Sequence, residues 1–310
     1  MAFYETEKDY MNSGRYTKAI LAAIGVYFIW GFTLLASTVA QRVSTPMVYL
    51  MYRFDTASLL MLVPVLVGRK RIRLSFRKIL PLIIMGICEP AIYFLGEQYG
   101  LKYTNSSFTG IFIAIIPLLT TILAAVFFKE RPTGLQWLFC LVSIGGVIAI
   151  SVFTSDAGGN ITFKGVVWLL VAVFSAAAYT TINKKAVRDN IGVYERTTVT
   201  MIVGAVFFTT GAVLENMGSL ENLVSPLRNL PFVLAVIYVA VFASVIGYTL
   251  FNFAVANAPV ANVVPLNSLV TVLSVTAGVI FLDEPFSFRA GIAMVVVIIG
   301  IWGVQKFTRK

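Results

Sequence analysis

Four ionisable residues stand inside otherwise apolar stretches of this 310-residue chain: Arg53, Asp55, Glu89 and Glu97. A charge surrounded by hydrocarbon is expensive, so each needs a counter-charge, hydrogen-bonding partners or a wet cavity. Such groups can hold a cation, a proton or a counter-ion. Spacing narrows the options. Glu89, Tyr93 and Glu97 recur every fourth residue, which places them in one slowly drifting stripe on a helix. Pro90 lacks an amide N–H and removes a backbone hydrogen bond one turn earlier, so the helix is predicted to kink beside Glu89. A broken helix next to a buried carboxylate is a recurring way to form a small-molecule or cation site.

Depth brings three of these charges to one level. Glu89 follows Lys78 by 11 residues, which at a helical rise of about 1.5 Å puts it about 16 Å into its stretch. Arg53 and Asp55 fall about 11 to 14 Å along the preceding stretch, which starts at Pro46 and runs the other way. Arg53 and Asp55 are two apart and cannot share a helix face. One arrangement pairs Arg53 with Glu89 across two helices; the alternative is that these charges contact a ligand. Further polar candidates are Trp30, Tyr27 and Thr33 in the first stretch, Tyr248 and Asn252 in the eighth, and Asn262, Asn267 and Ser268 in the ninth. Each can bond a neighbouring helix as readily as a ligand.

The elements that must position these residues are membrane helices. The chain is 58% hydrophobic and 12% charged, with a mean hydropathy of +0.87. A soluble domain carries about 25% charged residues. The apolar runs are about 20 residues long, enough to cross a bilayer as helices. Ten spans are predicted, at 17–40, 46–67, 79–100, 104–128, 134–153, 163–183, 193–214, 231–254, 260–282 and 288–307. Residues 1–16 form a polar tail. The fold class is an all-α polytopic membrane protein.

Of the 24 Lys and Arg, 18 fall on one side of these spans and five on the other, with Arg53 inside one. The positive-inside rule then puts both termini in the cytoplasm, and it accounts for the net charge of +10 without nucleic acid. There is no histidine, which excludes histidine relays, histidine-bound metals and serine–histidine catalysis. A coupling proton would have to ride on a carboxylate. Cys88 and Cys140 fall within spans and read as packing residues. No cofactor and no metal are expected.

The chain also echoes itself at an offset of 154 residues: Glu130 with Glu284, Phe127 with Phe281, Leu119 with Leu273, Gly146 with Gly300. Five spans per repeat, an odd number, invert the second repeat relative to the first. Glu130 and Glu284 each close a span ahead of Pro132 or Pro285, and read as caps on the helix that follows. Pro117 and Pro265 have no proline counterpart in the other repeat; each can kink its helix and free carbonyls toward a cavity. The charges Arg53, Asp55, Glu89 and Glu97 all lie in the first repeat.

Several segments carry a family resemblance. They are Trp30-Gly31, Arg53, the run Tyr99-Gly100-Leu101-Lys102-Tyr103-Thr104-Asn105-Ser106-Ser107, Pro117, Phe128-Lys129-Glu130-Arg131 and Gly145-Gly146-Val147. In the second half they are Tyr248, Asn252, Ala258-Pro259-Val260-Ala261 and Asp283-Glu284-Pro285. The chain resembles the drug/metabolite transporter superfamily of the EamA type, with repeats at 17–153 and 163–307. The resemblance implies ten helices in two inverted five-helix repeats, a central cavity and alternating access. The chain departs from the family where span nine commonly carries a proline, having Thr271 there.

The expectation is a secondary transporter, an exporter or exchanger of a small organic solute. Few buried basic groups argue against a multiply charged phosphate and favour an amino acid or related metabolite. No nucleotide-binding motif is present. Candidate substrate or coupling residues are Glu89, Tyr93, Glu97, Arg53, Asp55, Trp30, Tyr248, Asn252 and Asn267, with the lipid bilayer and protons as further partners. A passive channel or lipid carrier is the alternative. A membrane-embedded enzyme ranks below both, since no nucleophile–base constellation is visible.

Overall fold

A computed structural model describes residues 14–70, 75–116, 118–120, 133–156, 161–258, 260–284 and 287–307. Among them the secondary structure is helical throughout. Six helices are long and apolar enough to cross a membrane: α1 Gly14–Gln41, α2 Pro46–Leu66, α3 Arg77–Lys102, α6 Phe163–Arg188, α7 Val193–Glu215 and α8 Leu230–Asn257. Four further helices among the described residues, beside short turns such as Leu220–Val224, are α4 beginning Ser106–Ile113, α5 Gly134–Asp156, α9 Ser268–Leu282 and α10 Phe288–Lys306. Their outward faces expose large apolar side chains such as Leu21, Phe28, Leu59, Leu141, Phe174, Leu214 and Trp302, as contact with lipid tails requires. Pro117, Glu130, Pro132, Pro259 and Pro285 lie outside the described residues, as do the side chains of Cys140, Pro265 and Ser268.

The helix starts follow from local chemistry. Thr45 accepts from the Val48 N–H at 3.3 Å and precedes Pro46 at the first turn of α2. Asn105, Thr162 and Asn229 cap α4, α6 and α8 in the same way, accepting from Phe108, Gly165 and Phe232.

Helix pairing reveals the symmetry. α2 packs on α7, α4 on α9 and α5 on α10, while α3 packs on α6 and α8 on α1. Exchanging each helix with the one five places on leaves this set unchanged, as a two-fold relation between the repeats requires. Five crossings per repeat put such an axis in the membrane plane.

Three breaks shape the interior. In α3 Glu89 leaves the helix (φ −147°, ψ 118°), because a residue before proline is pushed toward extended backbone; the Glu89–Pro90 peptide bond is cis. The freed Cys88 carbonyl accepts from the Ser175 hydroxyl of α6 at 2.6 Å. In α1 the helix kinks at Phe32, and the Ile29 and Trp30 carbonyls accept from Tyr238 Oη and Thr33 Oγ1, both at 2.7 Å. In α8 a widened π-helical stretch runs over Tyr238–Gly247. It lies at the repeat position of the α3 break, with Ala243 matching Glu89. No proline marks it; only the 154-residue repeat offset points to it.

Candidate functional site

The breaks surround a cavity enclosing roughly 710 Å³, its open mouth included. Both repeats line it: α1 to α4 from the first, α6, α8 and α9 from the second. Of the residues singled out from sequence, Glu89, Tyr93, Glu97, Arg53, Trp30, Tyr248 and Asn267 face it, as do Tyr27 and Thr33.

Tyr248 sits at the centre of the wall. Its hydroxyl donates to Glu89 Oε1 at 2.5 Å. Its ring lies edge-on to Trp30 at 5.4 Å and to Tyr179 at 6.2 Å. Trp30 in turn contacts Tyr27 at 5.7 Å and Phe251 at 5.5 Å, and its indole N–H donates to the Ala243 carbonyl at 3.0 Å, a backbone group in the widened stretch of α8. The irregular backbone of α8 thus fixes the aromatic wall. Asn267 Nδ2 donates to the Ile113 carbonyl at 3.3 Å, and Thr271 Oγ1 to Gly110 at 3.2 Å. Thr271 therefore ties α9 to α4.

Glu97 is held differently. Tyr93 Oη donates to one of its oxygens at 2.6 Å and Gln98 Nε2 to the other at 2.7 Å; Gln41 Nε2 bonds Gln98 in turn at 2.8 Å. Both carboxylate oxygens of Glu97 are engaged.

Arg53 does not pair with Glu89 as one sequence arrangement had it. Among the described residues it forms no salt bridge. Its Nε donates to Ser244 Oγ of α8 at 2.9 Å, and its guanidinium carbon lies 4.0 Å from the centre of the Phe94 ring. A planar, weakly hydrated cation gains from such an aromatic face. Its Nη1 is buried without a partner.

Two candidates leave the site. Asp55 accepts from Thr209 Oγ1 at 2.7 Å on α7, outside the cavity wall. Asn252 is fully buried in a second polar cluster that sequence reasoning missed. There Arg196 Nη1 donates to Asn183 Oδ1 at 2.5 Å and Nη2 to the Asn252 carbonyl at 3.1 Å. Asn183 Nδ2 donates to Asn252 Oδ1, and Asn252 Nδ2 to Thr197 Oγ1, both at 2.9 Å. Arg196 is only 1% exposed and lies outside the cavity wall, so the second repeat also carries a buried charge. Its place four residues into an apolar helix was the available signal; counting it with a loop hid it.

Glu284 is also a cap, though of a different helix. Asp283 adopts a left-handed conformation (φ 53°, ψ 34°) that ends α9. Glu284 Oε1 accepts from the N–H and hydroxyl of Ser106 at 2.8 and 2.7 Å, and Oε2 from the Ser107 N–H at 2.8 Å. The carboxylate closes the start of α4, a helix of the opposite repeat.

Among the described residues, a helical bundle with two-fold helix pairing, broken helices and a largely apolar cavity between its repeats defines a polytopic membrane protein. The chain matches the EamA-like transporter family over residues 17–152 and 163–305, and it belongs to that family. It is 29% identical over 300 residues to "Uncharacterized transporter YcxC" of Bacillus subtilis, covering 95% of this chain and 96% of that protein. It is 23% identical over 263 residues to "Probable amino-acid metabolite efflux pump" of Escherichia coli, covering 74% and 87%. A solved crystal structure with 16% identity shares the fold at a TM-score of 0.66, over 94% of this chain and 98% of that one.

Proposed function

We propose that this protein exports a small organic solute, an amino acid or related metabolite, by alternating access around the cavity. The observation that carries this reading is the cavity itself: it lies between two pseudo-symmetric repeats and presents Glu89 at a broken helix. Glu89, Tyr93, Glu97, Arg53, Trp30, Tyr248 and Asn267 form the substrate and coupling site, and residues 17–153 and 163–307 act as the two moving units. Glu89 carries the coupling proton, since one of its oxygens takes no hydrogen bond from the described residues and it lines the cavity. Without Arg196 the basic residues still divide 17 to 5, which supports cytoplasmic termini in a plasma or bacterial inner membrane.

The test is transport by purified protein in liposomes. Saturable counterflow of amino acids is expected, with a pH gradient driving accumulation. Glu89→Gln should keep counterflow and lose the response to the gradient. Full gradient-driven transport by that variant would remove proton coupling, and a leak without counterflow would favour a channel.

A further inference from the structure

We infer that the end of α1, Thr33–Gln41, is a gate over one mouth of the cavity, hinged at Phe32 and latched by Gln41 on Gln98. It is the first element to move when the cavity opens to the face that carries residues 42–45. This rests on the transport reading above and goes further by assigning the moving segment and its latch.

The first helices of the two repeats differ at one point. α1 ends at Gln41 and α2 starts at Pro46; α6 ends at Arg188 and α7 starts at Val193, an offset of 147 residues at both places. At this offset Thr33 matches Thr180, and both line the cavity. Thr180 Oγ1 donates to the Ala176 carbonyl one regular turn back, at 3.0 Å, and α6 runs unbroken over Phe163–Arg188. Thr33 Oγ1 donates only three residues back, to Trp30 at 2.7 Å, where α1 kinks at Phe32 (φ −98°, ψ 0°). The Ile29 carbonyl is taken there by Tyr238 Oη. Side chains thus replace regular backbone bonds at the joint, which is how a helix bends without leaving its carbonyls unpaired.

Beyond the joint the segment is lightly held. Ser37 and Ala40, both fully buried, stand between the cavity-lining Thr33 and Leu34 and the turn at 42–45. Among the described residues, two side-chain hydrogen bonds join Thr33–Gln41 to other helices. Ser37 Oγ and Tyr49 Oη lie 3.0 Å apart, but Tyr49 belongs to α2, which follows directly and can move with the segment. Only the bond from Gln41 Nε2 to Gln98 Oε1, at 2.8 Å, crosses to α3. Gln98 is fully buried, and its Nε2 donates to Glu97 Oε2 at 2.7 Å. An ionised carboxylate only accepts, so the amide must turn its oxygen toward Gln41. A carboxylate of the cavity wall therefore sets the latch.

The opposite face carries the same tie without the joint. Asn252 matches Gln98 at the offset of 154 and accepts from Asn183 of α6 at 2.9 Å. Arg196 adds buried bonds to Asn183 and to the Asn252 carbonyl, and unbroken α6 has no joint at which to bend. A neutral hydrogen bond shifts a two-state equilibrium about 2- to 10-fold, and one to a charged group shifts it more. The hinged end, with its single neutral bond, yields first.

The test is labelling of Ala176→Cys, a cavity-lining position on α6, by a charged, membrane-impermeant methanethiosulfonate. The protein carries Cys88→Ala and Cys140→Ala and is reconstituted in liposomes in one orientation. Labelling from the face bearing residues 42–45 should quicken about 2- to 10-fold in Gln41→Leu and in Gln98→Leu, with no rise from the opposite face. The double variant should label no faster than the faster single one, because the same bond is lost in all three. Unchanged rates, a rise from both faces, or single effects that multiply in the double variant would overturn the latch. Hydrogen exchange of the unsubstituted protein in nanodiscs tests the hinge even where a variant does not fold. Amides of Thr33–Gln41 should exchange about 10-fold or more faster than those of residues 180–188 in α6, and equal protection would overturn the proposal. Counterflow separates this inference from the function it rests on. Solute exchange with unchanged labelling keeps the transporter and overturns the gate. The expected labelling without any solute exchange keeps the gate and removes the transporter.

Discussion

Glu284 offers a prediction in which the two repeats can be weighed against each other. Its carboxylate takes three hydrogen bonds at the start of α4, two from backbone N–H groups and one from the Ser106 hydroxyl. A bond to a charged acceptor contributes about 1.5–3 kcal/mol, and a carboxylate at a helix N-terminus about 0.3–1 kcal/mol, more when partly buried. These terms overlap, because the same N–H groups make up the helix end. Glu284→Ala should therefore cost about 2–4 kcal/mol, and Ser106→Ala about 1 kcal/mol. The decisive quantity is their coupling. If the carboxylate caps α4, the double variant should be less destabilised than the sum by about 1 kcal/mol. The assay is reversible unfolding in mixed micelles, followed by tryptophan fluorescence, for the four proteins of the cycle. Gly278→Ala gives an independent check, since a Cβ there would stand 2.5 Å from Glu284 Oε2 and push the carboxylate off its partners. Coupling within about 0.3 kcal/mol of zero would refute the reasoning and return Glu284 to its own following helix.

Other consequences follow from the same contacts. Arg196→Ala should cost about 3 kcal/mol or more of stability, because Asn183 and the Asn252 carbonyl lose their buried donor; thermal unfolding checks this. Asp55→Asn should leave KM unchanged within error, since Asp55 bonds Thr209 away from the cavity, and a large KM change would place Asp55 at the substrate. Gly110→Ala drives a Cβ into Ser274 Oγ and should cost about 1–3 kcal/mol as overpacking does; adding Ser274→Gly should restore most of it in the same unfolding assay.

Much of this was legible in the sequence, and the failures share a cause. Apolar runs of span length, Thr45-Pro46 at the start of α2 and Pro90 beside Glu89 each carry local information, and each appears where it was read. Depth along a helix also survived: Arg53 and Glu89 do reach one cavity. Depth says nothing about rotation around the helix axis or about which neighbour offers the better partner. Arg53 found Phe94 and Ser244, and Glu89 found Tyr248, because a broken α3 redirects the carboxylate and a widened α8 presents Ser244. Nothing in the composition of Tyr238–Gly247 signals that widening; only the repeat alignment of Ala243 with Glu89 points to it. Arg196 was lost for a similar reason, since a count of charges per loop assigns sidedness and not burial.

The symmetry and the chemistry of this protein divide along that line. The pairing of helices, and a backbone irregularity at the same place in both third helices, follow the repeat. The side chains at that place do not. Where the first repeat puts Glu89 on the break, the second has Ala243, whose carbonyl takes the Trp30 indole and whose neighbour Ser244 takes Arg53. One break therefore supplies a charge, and the other supplies the acceptors that fix the groups around it. The carboxylate on one break lines the cavity, and the backbone and hydroxyl acceptors on the other hold Trp30 and Arg53 in its wall. Ala243→Glu tests this division: purified protein that stays monodisperse should lose solute exchange in counterflow, because a bulky carboxylate at the fully buried Ala243 disturbs the carbonyl that holds Trp30, and unchanged exchange would show that the two breaks are chemically equivalent.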